Sequence, residues 1–193
     1  MAAEPEGDER RECAARPDSG RSPSAPLNDS AGLSDGRLDL VIEVAHASEL
    51  ADALAVQHAA FGRVARMFGI PPENLGAVRE TLRDLRAFRE AGATILVARL
   101  GDRVVGTVRA TARGDGTVDV GRLAVVADAL RRGVGRSLMR AVEDRFPEAR
   151  RFELFTGAEA TVPLALYRSM GYRVIRTEPG DAVPVVWLAK DRT

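Results

Sequence analysis

The stretch that decides the fold is LAVVADALRRGVGRSLMR, which runs from Leu123 to Arg140. An apolar strand candidate leads through a short loop into RRGVGR, residues 131–136, and a helix candidate follows. Gly133 and Gly135 let backbone N–H groups approach a ligand without interference from a Cβ atom. The free amides at a helix N-terminus carry the positive end of the helix dipole, and the arginines add charge. The stretch therefore predicts a site for an anion, most naturally a phosphate or pyrophosphate.

Two other phosphate-binding motifs fit this stretch poorly. A dinucleotide fingerprint, GxGxxG, needs a third glycine at position 138, but that residue is Leu138, and the glycines come too late after the strand. A P-loop ends in Gly-Lys-Ser/Thr, and the stretch contains no lysine. A helix start eased by glycine, with a solvated arginine face, stays open as the alternative without a ligand.

The segments on either side alternate between strand and helix patterns, in the order β-α-α-β-β-β-α-β-α-β-β. A helix from Glu49 to about Phe61 and a loop over residues 62–72 come first. Three strand candidates follow at 94–100, 103–111 and 117–126, separated by glycine-rich hairpin signals. Because hairpin-linked strands are antiparallel, we expect an α/β (α+β) fold with a mixed central sheet of six to seven strands flanked by helices.

Composition separates an N-terminal tail from the rest of the chain. Residues 1–36 contain four Pro, four Gly, five Ser and eight acidic residues, with no Val, Ile or aromatic residue. Such a segment cannot bury enough apolar surface to offset its loss of conformational entropy. We therefore expect residues 1–36 to be disordered and residues 37–193 to form one folded domain.

Charge and cysteine content exclude several classes of protein. The 28 basic residues equal the 28 acidic residues, so the chain lacks the basic excess typical of nucleic-acid binders. Its single cysteine, Cys13, allows neither an internal disulfide nor a cysteine zinc site. No apolar run reaches the length of about 20 residues that spans a bilayer, and the acidic start is no signal peptide. We expect a cytoplasmic protein with no metal, no nucleic-acid partner and no membrane partner.

Two motifs resemble those of the GNAT (Gcn5-related N-acetyltransferase) superfamily. LAVVADALRRGVG resembles its acetyl-CoA motif, Leu-Ala-Val-x-Pro-x-x-Arg/Gln-x-x-Gly-x-Gly. Downstream, LALYRSMGYRV resembles the family motif Leu-Tyr-x-x-x-Gly-Phe/Tyr, and the similarity covers roughly residues 38–190. The chain departs from the family at Ala127 in place of proline and at Leu130 in place of Arg/Gln. Ala160 or Pro163 stands where the family often has asparagine.

The resemblance implies a binding mode for acetyl-CoA. The strand Leu123 to Val125 would pair with the pantetheine arm, and the Leu123 amide would polarise the thioester carbonyl. The backbone amides of Arg131 to Ser137 would bind the pyrophosphate. The implied cofactor-binding residues are Leu123, Ala124, Val125, Arg131, Arg132, Gly133, Val134, Gly135, Arg136 and Ser137.

The resemblance also indicates catalytic side chains. Tyr167 would protonate the departing CoA thiolate, because a phenol can donate a proton. Asp119 is the candidate base, since some family members carry a catalytic glutamate there. It precedes Leu123 by four residues, so a period of two places both side chains on one strand face. Glu153 and an ordered water stay open as alternative bases.

These assignments predict an N-acetyltransferase that moves the acetyl group from acetyl-CoA to a primary amine by direct attack in a ternary complex. The acceptor would be a small-molecule or peptide amine, and a homodimer stays open because the fold often dimerises. The alternative function is a non-catalytic acyl-CoA-binding regulatory module on the same fold. Tyr167 favours the enzyme, whereas Leu130 and the missing asparagine keep the alternative open.

Overall fold

A computed structural model of the chain describes residues 39–180 and 183–192, so the predicted tail at residues 1–36 lies outside the described residues. The strands are β1 (Leu40–Val44), β2 (Thr94–Leu100), β3 (Arg103–Ala112), β4 (Thr117–Val125), β5 (Arg151–Gly157), β6 (Arg173–Glu178) and β7 (Val185–Asp191). The helices are α1 (Leu50–Phe68), α2 (Gly76–Arg79), α3 (Leu82–Glu90), α4 (Val134–Arg145) and α5 (Thr161–Ser169). No helix in the described ranges is both long and apolar enough to cross a membrane.

The strands form one mixed sheet in the order β1-β2-β3-β4-β5-β7-β6, which confirms the predicted fold class. All neighbouring strands are antiparallel except β4 and β5, which are parallel. Helix α1 packs on β3 and β4 from one face, and α4 packs on β2, β3 and β4 from the other. The core is therefore divided by the sheet into two layers, with Leu50 and Val97 in one and Leu138 and Val142 in the other.

The first two helices differ from the prediction. Helix α1 continues through Gly62 to Phe68 and ends at Gly69, which has a φ of +63°. Gly62 is buried within the helix, so tertiary packing outweighs the weak helix propensity of glycine. The predicted loop over residues 62–72 therefore begins seven residues later, and Arg63 and Arg66 lie on a helix.

The leucine and valine spacing over residues 75–85 predicts a second helix that Gly92 closes, but the structure divides this segment in two at Glu80 and Thr81. Glu80 is extended, with φ −57° and ψ 139°. The side chain of Thr81 accepts from the Asp84 amide, while the Asp84 carboxylate accepts from the Thr81 amide. This reciprocal cap begins α3 and leaves Glu80 in a fixed joint between two helices.

Strands β4 and β5 pair over only three residues before they separate. The paired residues are Thr117 with Arg151, Val118 with Phe152, and Asp119 with Glu153. Beyond that point β4 stays paired to β3 as far as Val125, and β5 stays paired to β7 as far as Gly157. A gap therefore opens between two central strands, and it widens toward the N-terminus of α4.

Helix α4 lies closest to the sheet at Gly106 of β3. A Cβ atom at this position would lie 2.9 Å from Leu138 Cδ1, 2.9 Å from Val134 Cγ1 and 3.3 Å from the Ala124 carbonyl oxygen. The glycine therefore sets the distance between the helix and the strands that border the gap.

We predict that Gly106→Ala lowers the free energy of unfolding by about 1–3 kcal/mol, because the added methyl group overfills a packed contact. Gly121→Ala is the matched control: it lies on the neighbouring strand, and a Cβ atom there would meet no atom within 4 Å. Urea denaturation measures both. Equal effects from the two substitutions would contradict this account of the α4 contact.

Candidate active site

The edge of β4 that faces the gap presents free backbone amides. The Val126 N–H donates to the Val105 carbonyl oxygen at 2.9 Å, so it points toward β3. Because N–H directions alternate along a strand in an antiparallel pair, Ala124 also points toward β3, while Leu123 and Val125 point into the gap. The Leu123 amide therefore points into the gap and is free to donate to a group that enters it.

A β-bulge interrupts β4 at Arg122. Thr107 pairs with Ala124 but Arg109 pairs with Gly121, so Arg122 and Leu123 lie opposite the single residue Val108. Arg122 has a φ of +57°, in the left-handed region that a residue with a Cβ atom rarely adopts. The bulge therefore shifts the side-chain alternation by one residue.

Because of this shift, the prediction that Asp119 and Leu123 share one strand face is wrong. Val118 and Val120 lie in the α4-side core, and Leu123 packs against that same core. Asp119, which alternates with Val118 and Val120, consequently faces the other side of the sheet. Asp119 and Leu123 lie on opposite faces because the bulge between them breaks the period of two.

The turn before α4 contains two residues in the left-handed conformation, Arg131 with φ +62° and Gly133 with φ +82°. In the described part of the chain, no backbone carbonyl accepts from the amides of residues 131–136. These six amides lie beside the positive end of the α4 dipole, at the position where the sequence predicts an anion site. Ser137 departs from the prediction, since its amide donates to the Gly133 carbonyl at 2.9 Å and is already used.

The two glycines of the turn have different structural roles. Gly133 adopts a positive φ in open space, with no atom within 4 Å of an added Cβ. A Cβ atom at Gly135 would lie 3.4 Å from Leu166 Cδ2 and 3.9 Å from Leu123 Cδ2. Gly133 therefore shapes the backbone of the turn, whereas Gly135 lets α4 begin close to both β4 and α5.

The arginines around the turn extend its positive charge. Arg131, Arg132 and Arg140 are exposed, so their guanidinium groups are available to an anion in solvent. Arg136 differs, because its Nη2 donates to Ser169 Oγ at 2.7 Å and ties α4 to α5. Leu130 is also exposed and provides only apolar contact at the position where the sequence motif favours Arg/Gln.

Tyr167 of α5 lies on the α4 side of the sheet and is only 7% exposed. Burial raises the pKa of its hydroxyl to about 12, so the phenol stays protonated at neutral pH. The hydroxyl makes no hydrogen bond to any described residue. Tyr167 is thus a proton donor without a partner of its own, next in sequence to Leu166, which borders the gap through its contact at Gly135.

The two candidate bases, Asp119 and Glu153, form the last pair before β4 and β5 separate. Glu153 accepts from Arg151 Nε at 2.7 Å and from Arg113 Nη2 at 2.8 Å. Burial alone would raise the pKa of Glu153, but hydrogen bonds from Arg151 and Arg113 outweigh it and hold that pKa below 4.5. Burial raises the pKa of Asp119 above its ordinary value of 3.8, and its nearest cation is Arg113 Nη2 at 3.3 Å. Asp119 therefore has fewer arginine contacts than Glu153, which two guanidinium groups already occupy.

A charged cluster around Glu80, which contacts the bulge through Arg122, was not predicted from the sequence. The Glu80 carboxylate accepts from Arg122, Arg109 and Gln57, which come from β4, β3 and α1. Burial alone would raise the pKa of Glu80, but the hydrogen bonds from Arg122, Gln57 and Arg109 outweigh it and lower that pKa below 4.5. The sequence signal for this cluster is that Arg109 and Arg122 occur within strand segments that are otherwise largely apolar.

One group of potential metal ligands occurs among the described residues, formed by Glu43, His46 and Glu49. Arg99 makes ion pairs to both carboxylates, at 2.5 Å to Glu43 and 2.7 Å to Glu49. A guanidinium of the protein itself therefore already contacts both carboxylates, and the group lies near β1 and β2, away from the gap.

Comparison with known proteins identifies related sequences and folds. The model of the acetyltransferase (GNAT) family matches residues 54–172. A search of curated protein sequences gives no significant match.

Solved structures with the same fold include acetyltransferases crystallised with their cofactor. The PaiA N-acetyltransferase from Thermoplasma acidophilum, in complex with coenzyme A, is 13% identical with a TM-score of 0.70, covering 80% of this chain and 99% of that one. The ribosomal-protein-S18-alanine N-acetyltransferase from Escherichia coli is 14% identical with a TM-score of 0.65, covering 79% and 94%. YncA, a putative acetyltransferase from Salmonella typhimurium with acetyl-CoA, is 16% identical with a TM-score of 0.60, covering 79% and 93%. At these identities the similarity shows the fold alone.

Proposed function

Because the chain belongs to the GNAT family of acetyltransferases, we propose that it transfers the acetyl group of acetyl-CoA to a primary amine. The observation that carries this proposal is the gap between β4 and β5, which opens directly beside the free amides of the turn before α4. The gap suits an extended pantetheine arm, and the turn suits a pyrophosphate. The acceptor class is a small-molecule or peptide amine.

The cofactor would be held chiefly by backbone groups. The pantetheine arm would lie along β4 as an additional strand and pair with the edge formed by Leu123, Ala124 and Val125. The pyrophosphate would accept hydrogen bonds from the amides of residues 131–136, with Arg131 and Arg132 adding charge. Backbone recognition tolerates the departures from the family motif at Ala127 and Leu130, because those residues change only side chains.

The reaction would proceed by direct attack of the acceptor on the thioester. The amine nitrogen bonds to the carbonyl carbon, and the developing oxyanion accepts a hydrogen bond from the Leu123 amide. The C–S bond then breaks, and the thiolate of CoA takes a proton from the Tyr167 hydroxyl. Asp119 removes the proton that the amine loses. In the described residues, no cysteine is present to form an acyl-enzyme intermediate.

We predict that Gly133→Val lowers the affinity for acetyl-CoA at least about tenfold, because a branched residue at positive φ distorts the turn that presents the amides. Gly92→Val is the matched control. Gly92 also has a positive φ in open space, but it closes α3, away from the gap. Calorimetric titration with acetyl-CoA should show normal affinity for this control. Unchanged affinity in Gly133→Val would contradict the cofactor site.

We predict that Tyr167→Phe lowers kcat by roughly 10²–10⁴-fold while the affinity for acetyl-CoA stays nearly constant, because the hydroxyl acts only in the transition state. Release of CoA thiol across a panel of amines measures kcat. Tyr172→Phe is the control, since that ring lies 6.0 Å away and its hydroxyl is buried beside Glu143. If the wild-type protein binds acetyl-CoA but acetylates no amine, the non-catalytic acyl-CoA-binding module replaces this proposal.

We predict that Asp119→Asn lowers kcat/KM most strongly at low pH, where the acceptor amine is protonated and needs a base. The loss should shrink as the pH approaches the pKa of the amine, because the neutral amine needs no deprotonation. Glu153→Gln should show no such pH-dependent loss, since two arginines already occupy that carboxylate. If the two profiles coincide with that of the wild type, an ordered water is the base.

A further inference from the structure

The β-bulge determines where the Leu123 amide points. The Arg113 N–H donates to the Thr117 carbonyl at 2.7 Å, so Thr117 presents its polar backbone groups to β3. By alternation Asp119 and Gly121 do the same, and in a regular strand Leu123 would follow them. The extra residue at Arg122 reverses this pattern, and the Leu123 N–H consequently points into the gap.

An arginine at the bulge needs support from its surroundings. A φ of +57° is easy for glycine but disfavoured for a side chain with a Cβ atom. Arg122 gains that support from Glu80, whose Oε1 accepts from Arg122 Nε at 2.8 Å and from Nη2 at 2.6 Å. Paired N–H donors from one guanidinium give the contact a fixed geometry as well as strength.

Hydrogen bonds from several elements of the fold fix the position of Glu80. Its Oε2 accepts from Gln57 Nε2 at 2.8 Å, and its Oε1 accepts from Arg109 Nη2 at 3.1 Å. Its carbonyl oxygen lies 2.8 Å from His58 Nε2. The side chain is only 10% exposed, and the residue occupies the joint between α2 and α3. The carboxylate therefore cannot move without disturbing three other elements of the fold.

We propose that Glu80 is a positioning residue that, through Arg122, holds the bulge of β4 so that the Leu123 amide is directed at the thioester carbonyl. The inference rests on the proposed function, because it assigns a role within that site. In this role Glu80 acts through Arg122 and not by contact with the thioester. It acts on the reaction by fixing the backbone of β4. One edge of β4 borders the cofactor gap, and one of its faces is covered by the α1–α3 layer.

The test uses Arg122→Ala and Glu80→Ala in the full chain. Alanine keeps the Cβ atom that disfavours the positive φ but removes the ion pair, so Arg122→Ala takes away the support of the bulge and leaves the strain. Glu80→Ala removes the same ion pair from the other side. Arg99→Gln is the matched control, because Arg99 is also a strand arginine that binds two carboxylates, but it lies on β2 and pairs with Glu43 and Glu49.

The readout is the infrared carbonyl stretch of acetyl-CoA labelled with ¹³C at the thioester carbonyl. A hydrogen bond from the Leu123 amide lowers this frequency in the wild-type complex. We expect Arg122→Ala and Glu80→Ala to lose the shift and to lower kcat at least about tenfold, since misplacement of a transition-state donor by about 1 Å is costly. The KM for acetyl-CoA should change less than about threefold, because the pyrophosphate site is untouched. Arg99→Gln should behave as the wild type.

The possible outcomes distinguish failure of this inference from failure of the proposed function. Failure of the wild-type protein to bind acetyl-CoA would overturn the proposed function, and the inference would fall with it. Binding without any shift of the carbonyl frequency would overturn the role of the Leu123 amide alone. A full shift and normal kcat in Arg122→Ala would overturn the inference while leaving the acetyltransferase proposal intact. If Glu80→Ala fails to fold, Arg122→Ala still decides the question.

Discussion

The structure depends on one constraint, which is that β4 and β5 pair for three residues and then separate. Backbone N–H and C=O groups in the middle of a sheet normally find partners, because leaving them unpaired costs free energy. Here the edge of β4 beyond Asp119 has no neighbouring strand, although β3 and β7 still hold the outer edges of the two strands. Along this edge the Val125 carbonyl accepts from Arg63 Nη2 at 3.3 Å, and water or a ligand with an extended polar chain can satisfy the other unpaired groups.

The turn before α4, at the end of the gap, also has unpaired backbone groups. Six consecutive amides lack a backbone partner, and the helix that follows adds the positive end of its dipole. Gly135 brings this helix start against Leu166 and Leu123, so the anion site and the open strand edge are fixed relative to each other. A ligand with an anionic group and an extended arm would satisfy both sets of unpaired groups together.

The sequence allowed the order of strands and helices along the chain, the mixed sheet and the glycine turn to be predicted, because each depends on local patterns or on a motif within about 20 residues. The family model confirms the GNAT resemblance on which the site assignments rest. The bulge at Arg122 could not be predicted from periodicity, which assumes a regular strand and therefore placed Asp119 on the face of Leu123. Helix α1 was predicted too short because packing overrides the signal of Gly62. The Glu80 cluster joins residues that lie 23, 29 and 42 positions apart in the chain, so no local pattern reveals it.

The corrected placement of Asp119 changes how the proposed reaction would be organised. Leu123 packs on the side of the sheet covered by α4, which is also the side of Tyr167. Asp119 faces the other side, where its carboxylate is about half exposed. Under the proposed function, the group that protonates the leaving thiolate and the group that deprotonates the amine therefore belong to opposite faces of the sheet. An amine that approaches through the gap from the Asp119 side would meet the thioester carbonyl while the sulfur leaves toward Tyr167. A single residue inserted at position 122 separates the two proton transfers in this way, because without it Asp119 and Leu123 would share a face.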